Sequence, residues 1–222
     1  MIDMIKKYKR TLIITSLVLL IPVLVGLILW DQLPDPMPSH WNIHGEVDAW
    51  SSKATTVFGL PGLMLAMQWV CLFASTADPK HKNFNPSMLK LMLWICPGIS
   101  LILCLMVYPA ALGYSVPVAT IMPLVMGVLF IVIGNWLPKC EQTYTMGIKL
   151  PWTYASEANW NATHRFGGKV WFFGGLTMIL TALLGCFWIL IVIIALMVIL
   201  PTVYSYLYYR KYEKENGDGN KA

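Results

Sequence analysis

Apolar residues in this chain come in runs of about twenty, the length needed to span a bilayer as helix, with shorter polar stretches between them. The first run, Thr11 to Trp30, follows Lys6, Lys7, Lys9 and Arg10. That order resembles a signal peptide's charged start and apolar core. The run is long enough to cross, however, and no small-residue cleavage site follows it, so it reads as an uncleaved helix with Pro22 as a kink position. Further helices are expected at Val57 to Ser75, Met88 to Leu112 (interrupted near Pro97-Gly98) and Val116 to Leu137. The tract from Val170 to Tyr209 is too long for one crossing and divides near Gly185 into two. The pattern predicts an all-α polytopic membrane protein with six transmembrane helices.

Two polar stretches stand apart. Asp31 to Thr56 opens with Pro34, Pro36 and Pro38, which favour extended backbone. Gly134 to Lys169 sets Trp136, Tyr144, Trp152, Tyr154 and Trp160 among Thr, Asn, Lys and Arg. Aromatic residues of that kind favour the membrane–water interface. The tail from 213 to 222 reads as disordered.

Composition agrees with a membrane protein: 57% of the residues are hydrophobic and 12% charged, against about 25% charged in soluble domains, and the mean hydropathy is +0.62. The five cysteines form no CxxC pair, which argues against a disulfide framework or a zinc knuckle. Charge sets the expected orientation. Of the sixteen Lys and Arg, only Lys53 falls in the 31–56 loop, beside Asp31, Asp35, Glu46 and Asp48. The positive-inside rule then puts both termini and the 134–169 segment in the cytoplasm and the 31–56 loop outside.

Candidate chemistry is sparse. His40, His44 and Asp48 recur every fourth residue, but Pro38 and Gly45 argue against the helix that would align them for a metal, and no HExxH is present. No metal site, catalytic set or cofactor is expected. A compact loop whose polar side chains bond the backbone competes with a recognition surface made of His40, Trp41, Asn42, His44, Glu46, Asp48 and Trp50. In the second segment Ser156 should cap a short helix from Glu157, ended by Gly167-Gly168, with Trp160 and His164 on one face. Trp152 and Trp160 would anchor it to the membrane, with Glu157, Asn161, His164 and Arg165 facing outward. Gln68 and Asn135 are amides of the kind that join helices.

The run GNWLPK…Y…GIKLPWTYASEANWNATHRFGGK resembles the signature of the SdpI family of bacterial membrane proteins. Gly134, Asn135, Lys139, Tyr144, Gly147, Ile148, Pro151, Trp152, Thr153, Ser156, Glu157, Trp160, Thr163, His164, Arg165 and Gly168 fit it. Thr143, Lys149 and Leu150 stand where Asn, Arg and Thr are expected, and Lys lacks the bidentate fork of Arg. Pro38, His40, Trp41, Asn42, Gly45 and Asp48 resemble a domain of unknown function that often accompanies the signature. The resemblance implies immunity to a secreted antimicrobial peptide. It also implies a second role, holding an ArsR-type repressor at the membrane, through a cytoplasmic surface drawn from Asn135, Gly147, Lys149, Pro151, Trp152, Thr153, Glu157, Trp160, His164 and Arg165. The expected partners are the lipid bilayer, the peptide and the repressor, with no direct nucleic-acid contact. The expected division is a basic N-terminus (1–10), a three-helix part (11–112) and an SdpI-like part (113–222). Competing readings are a transporter of a peptide or amphiphile and a membrane-embedded metal-dependent enzyme.

The charge bias is open to a direct check. Cysteines placed singly at positions 51 and 156, in a background without the native five, should differ in intact cells. A membrane-impermeant thiol reagent should label position 51 and spare position 156, and equal labelling would contradict the six-crossing orientation.

Overall fold

A computed structural model describes residues 2–42, 44–80, 84–185 and 188–214. The tail expected to be disordered from 213 falls, from 215 on, outside the described residues, as does Cys186. In chain order the elements are α1 (Ile2–Ile28), β1 (Met37–Trp41), β2 (Val47–Ser51), α2 (Leu60–Ala77), α3 (Pro86–Ala111), α4 (Val118–Trp136), α5 (Pro151–Ala155), α6 (Glu157–Leu184) and α7 (Trp188–Tyr209). All but α5 among these helices are long and apolar enough to cross a membrane, giving six spans among the described residues. The protein is an all-α polytopic membrane protein with one small hairpin.

Three expected boundaries are corrected. The basic N-terminal residues are already helical, since α1 begins at Ile2. Helix α3 passes through Pro97 without a break. Helix α6 is not closed by Gly167-Gly168 but runs on for 28 residues to Leu184, where Gly185 ends it at φ 70°. Both glycines are buried against side chains that a Cβ would strike: Ile148 Cδ1 at 2.6 Å for Gly167 and Pro138 Cδ at 2.7 Å for Gly168. At 1.5 Å per residue, α6 is about 42 Å long against about 30 Å of hydrocarbon. Its length exceeds that thickness, which leaves room for the polar first turns, Glu157 to Arg165, outside the hydrocarbon.

The chain forms two compact units, Met1–Ala77 with Pro86–Ala119, and Asp78–Asn85 with Thr120–Ala222. In the first, Leu33, Met37, Val57, Val107 and Tyr108 form a buried cluster that seats the hairpin on the helix ends, with Trp41 packed against it. Tyr108 donates its hydroxyl to the Pro22 carbonyl at 2.8 Å, and Gln68 Nε2 donates to Thr15 Oγ1 at 2.8 Å. The latter joins α1 to α2 as an interhelical amide is expected to do.

In the second unit, α4 and α6 approach backbone to backbone. A Cβ on Gly168 would lie 2.7 Å from the Gly134 carbonyl oxygen, and one on Gly175 would lie 2.5 Å from that of Gly127. Close crossing at small residues is how membrane helices gain packing without a hydrophobic driving force. Met178, Ile193 and Met197 form the core between α6 and α7, and Trp171 Nε1 donates to the Met197 carbonyl at 2.9 Å.

Gly168→Val should therefore separate α4 from α6. A loss of about 1–3 kcal/mol is expected from overpacking, read as a lower thermal unfolding midpoint in detergent. Gly98→Val, at a glycine with no neighbour where a Cβ would go, should change it far less.

Candidate functional site

The polar stretch between α4 and α6 is a knot of side chain to backbone bonds. A turn at Leu137–Lys139 follows α4, and the chain then runs without regular structure to α5. Backbone in such a stretch needs partners from elsewhere, and α6 supplies them. Ile148 N–H donates to His164 Nε2 at 2.8 Å, while His164 Nδ1 lies 2.7 Å from the Trp160 carbonyl. Both bonds form together only on the neutral ring with its proton on Nδ1, the tautomer that the partners dictate.

Trp160 stacks on that ring with centroids 4.1 Å apart and donates Nε1–H to the Cys140 carbonyl at 2.8 Å. Trp160 is 0% and His164 1% exposed. Gly147, at φ 116°, lies across them. A Cβ there would sit 2.6 Å from Trp160 Cζ2 and closer still to His164 Nε2. Glycine is needed both for its φ and for this approach.

Asp78, in the connection after α2, closes the other side. Its Oδ2 accepts from Tyr144 N–H at 2.8 Å, Thr145 N–H at 2.9 Å and the Thr145 hydroxyl at 2.9 Å. Its Oδ1 accepts from Lys80 N–H at 2.8 Å. Burial alone would raise the carboxyl's pKa, but these donors outweigh it and leave the pKa below its ordinary value of 3.8. Gln142 Nε2 donates to the Thr153 and Tyr154 carbonyls, each at 2.9 Å, and its Oε1 accepts from Lys80 Nζ. Cys140 is buried, and that burial together with the Glu141 carboxylate pushes its thiol up to about 12, far from the reactive thiolate.

A second buried network joins α5, α6 and α7. Trp152 Nε1 donates to Ser205 Oγ at 2.7 Å, and Ser205 Oγ donates to Asn159 Oδ1 at 2.8 Å. Asn159 Oδ1 also accepts from Thr163 Oγ1 at 2.9 Å, and Asn159 Nδ2 donates to the Ser205 carbonyl at 3.1 Å. Asn159 and Ser205 are both 0% exposed.

The residues of the expected cytoplasmic surface therefore divide. Glu157, Lys149, Pro151, Arg165 and Asn135 are exposed. His164, expected to face outward, and Trp160, expected to anchor at the interface, are instead interior, as is Thr153 at 0% exposure. Thr153 Oγ1 accepts from Leu150 N–H at 2.9 Å and starts α5 from its third position. Leu150, at the cap itself, has no oxygen to offer where the family pattern would place Thr. Ser156 does cap α6, accepting from Asn159 N–H at 3.2 Å. Thr143 takes over a turn role open to Asn, accepting from Met146 N–H at 3.3 Å. Asp78, Gln142, Asn159 and Ser205 escape a reading of the sequence. Ser205 carries a weak signal as a polar residue within an apolar tract, while Asn159, inside a polar run, and Asp78 carry none.

In the first unit the 31–56 loop is an antiparallel hairpin pairing Met37 with Ser51 and Trp41 with Val47. Asn42 builds its turn: Oδ1 accepts from His44 N–H at 2.9 Å and Glu46 N–H at 3.0 Å, and Nδ2 donates to Glu46 Oε2 at 2.9 Å. Gly45 supplies φ 81°. His40 Nδ1 meets Asp48 Oδ1 at 2.6 Å across the strands. No group of three or more His, Cys, Asp or Glu among the described residues is placed to hold a metal. Trp50 is 56% exposed, whereas Trp41 is half-buried. Lys53 Nζ is drawn onto the Trp30 carbonyl at 2.8 Å, and Glu46, Asp48 and Trp50 are exposed on the hairpin together with His40 and His44.

Asp78→Asn should loosen the knot, since an amide cannot accept from all these donors. A loss of about 1.5–3 kcal/mol is expected for bonds to a charged acceptor. Because the folded pKa is depressed, the aspartate's contribution is complete above pH 3.8 and disappears as the pH falls through the lower folded value. The thermal midpoint of the native chain should drop across that acidic window, and the Asn variant should lack this component. Gly147→Ala should cost a further amount, about 1–3 kcal/mol, through its strained φ and the ring it would strike.

Comparison with known proteins places both regions. Residues 139–205 match the SdpI/YfhL protein family, and residues 17–65 match a domain of unknown function, DUF1648. No solved structure matches the chain. The Immunity protein SdpI of Bacillus subtilis (strain 168) is 30% identical over 206 residues, covering 90% of this chain and 96% of that protein. With similarity running nearly end to end through both the hairpin and the knot, the chain belongs to the SdpI/YfhL family of membrane proteins.

Proposed function

We propose that this chain is an immunity-type membrane protein that protects its host bacterium from a secreted antimicrobial peptide. The observation that carries this reading is the similarity to Immunity protein SdpI over 90% of the chain, which spans the outer hairpin as well as the signature. Both termini and the knot face the cytoplasm in this reading, and the hairpin faces outward, as the distribution of Lys and Arg argues. The peptide meets the hairpin. An exposed indole at Trp50 beside Glu46 and the His40–Asp48 pair suits an amphiphilic peptide with a basic group. Trp41, packed on the Met37 cluster, supports the hairpin rather than offering its ring.

A second reading is favoured by α6. Glu157, Asn161 and Arg165 are all exposed and, four residues apart, share one face. That face is the docking surface for a soluble partner, an ArsR-type repressor held at the membrane. Single charge changes there should alter affinity modestly, since exposed pairs contribute about 0–1 kcal/mol.

The test is survival of cells exposed to candidate peptides, with and without the chain. Trp50→Ala should reduce protection at unchanged protein level, and undiminished protection would remove the hairpin from peptide recognition. In the same strains Glu157→Lys should lower induction of an operon reporter while protection persists. Loss of both together would assign this face of α6 to protection itself.

A further inference from the structure

A groove of about 350 Å³ runs along the membrane face of α1 and α2 in the first unit. Its walls are apolar, with Leu12, Leu17 and Leu20 from α1 and Leu65 and Trp69 from α2. One charged residue lines it: Lys9, at the N-terminal end. The groove is built into the packing of the two helices. Leu12, one of its lining residues, is buried, and the Gln68–Thr15 bond of 2.8 Å ties α1 to α2.

Its dimensions select an occupant. From Lys9 to Leu20 is about 16 Å at 1.5 Å per residue, close to the depth of one leaflet, half of about 30 Å. An apolar groove of one leaflet's length with a single cation at its end suits a hydrocarbon chain lying beneath an anionic headgroup. With a chain in the groove, the headgroup lies at the level of Lys9, whereas Lys6, Lys7 and Arg10 do not line the groove. Basic residues at that depth attract anionic headgroups.

We infer that the groove between α1 and α2 binds one anionic phospholipid, its acyl chain along Leu12, Leu17, Leu20, Leu65 and Trp69 and its phosphate on Lys9. This site is independent of peptide recognition at the hairpin. A lipid held there braces the α1–α2 pair that carries the hairpin.

The experiment uses the full chain, purified in detergent and stripped of lipid, then titrated with phosphatidylglycerol or phosphatidylcholine of identical acyl chains and followed by native mass spectrometry. One phosphatidylglycerol should be retained in preference to phosphatidylcholine by about fivefold, the effect of one basic residue near a membrane surface. Lys9→Gln should abolish the preference, and Lys6→Gln, outside the groove, should keep it. Leu17→Trp, or Leu20→Trp where the first does not fold, should fill the groove and remove retention of both lipids. Equal retention of the two lipids by the native chain would overturn the inference. So would an equal effect of Lys6→Gln, undiminished binding to both filled variants, or a groove-filling change that alters oligomeric state and not lipid retention.

Discussion

The backbone between α4 and α5 must be satisfied without a helix or a sheet, and much of the second unit follows from that constraint. Ile148 N–H and the Cys140 carbonyl find partners on His164 and Trp160, and Tyr144 and Thr145 N–H find Asp78. A buried amide left without a partner costs about 1–3 kcal/mol, so each partner is held in turn. The His164 ring must be neutral, stacked and oriented by the Trp160 carbonyl. Gly147 must lack a side chain, and the first turns of α6 must carry the polar partners that the segment needs. Part of the aromatic, polar signature, Trp160, His164 and Thr153 above all, is therefore interior.

This changes which residues are available for recognition. With His164, Trp160 and Thr153 enclosed, the exposed side chains on the first turns of α6 are Glu157, Asn161, Arg165 and their neighbours. In the other unit the same logic separates two tryptophans nine residues apart. Trp41 belongs to the cluster around Met37, and Trp50 faces outward. Both proposed recognition surfaces are thus small patches, with geometry set by Asn42 in one case and by the knot in the other.

The helices were legible because span length and apolar runs are properties of single segments. The Ser156 cap and the αL Gly185 were legible for the same reason, each being a local backbone rule. The orientation of Trp160 and His164 was not, because an indole suits a membrane interface and a buried stack equally well by composition. The continuation of α6 through Gly167-Gly168 was missed because glycine serves both to end helices and to let them meet. Its use here is decided by Pro138, Ile148 and the Gly134 carbonyl, all distant in sequence from a local rule. Asp78 was invisible, being one carboxylate in a short connection whose partners lie 66 and 67 residues away.

Residues 140–154 form an ordered segment tied to α6 and Asp78. Amide hydrogen exchange on the full chain in lipid nanodiscs, followed by mass spectrometry, measures that order most directly. Peptides covering Tyr144 to Tyr154 should exchange as slowly as the first turns of α6, and Asp78→Asn should accelerate them without affecting α7. Exchange at the rate of an open loop in the native chain would contradict the account.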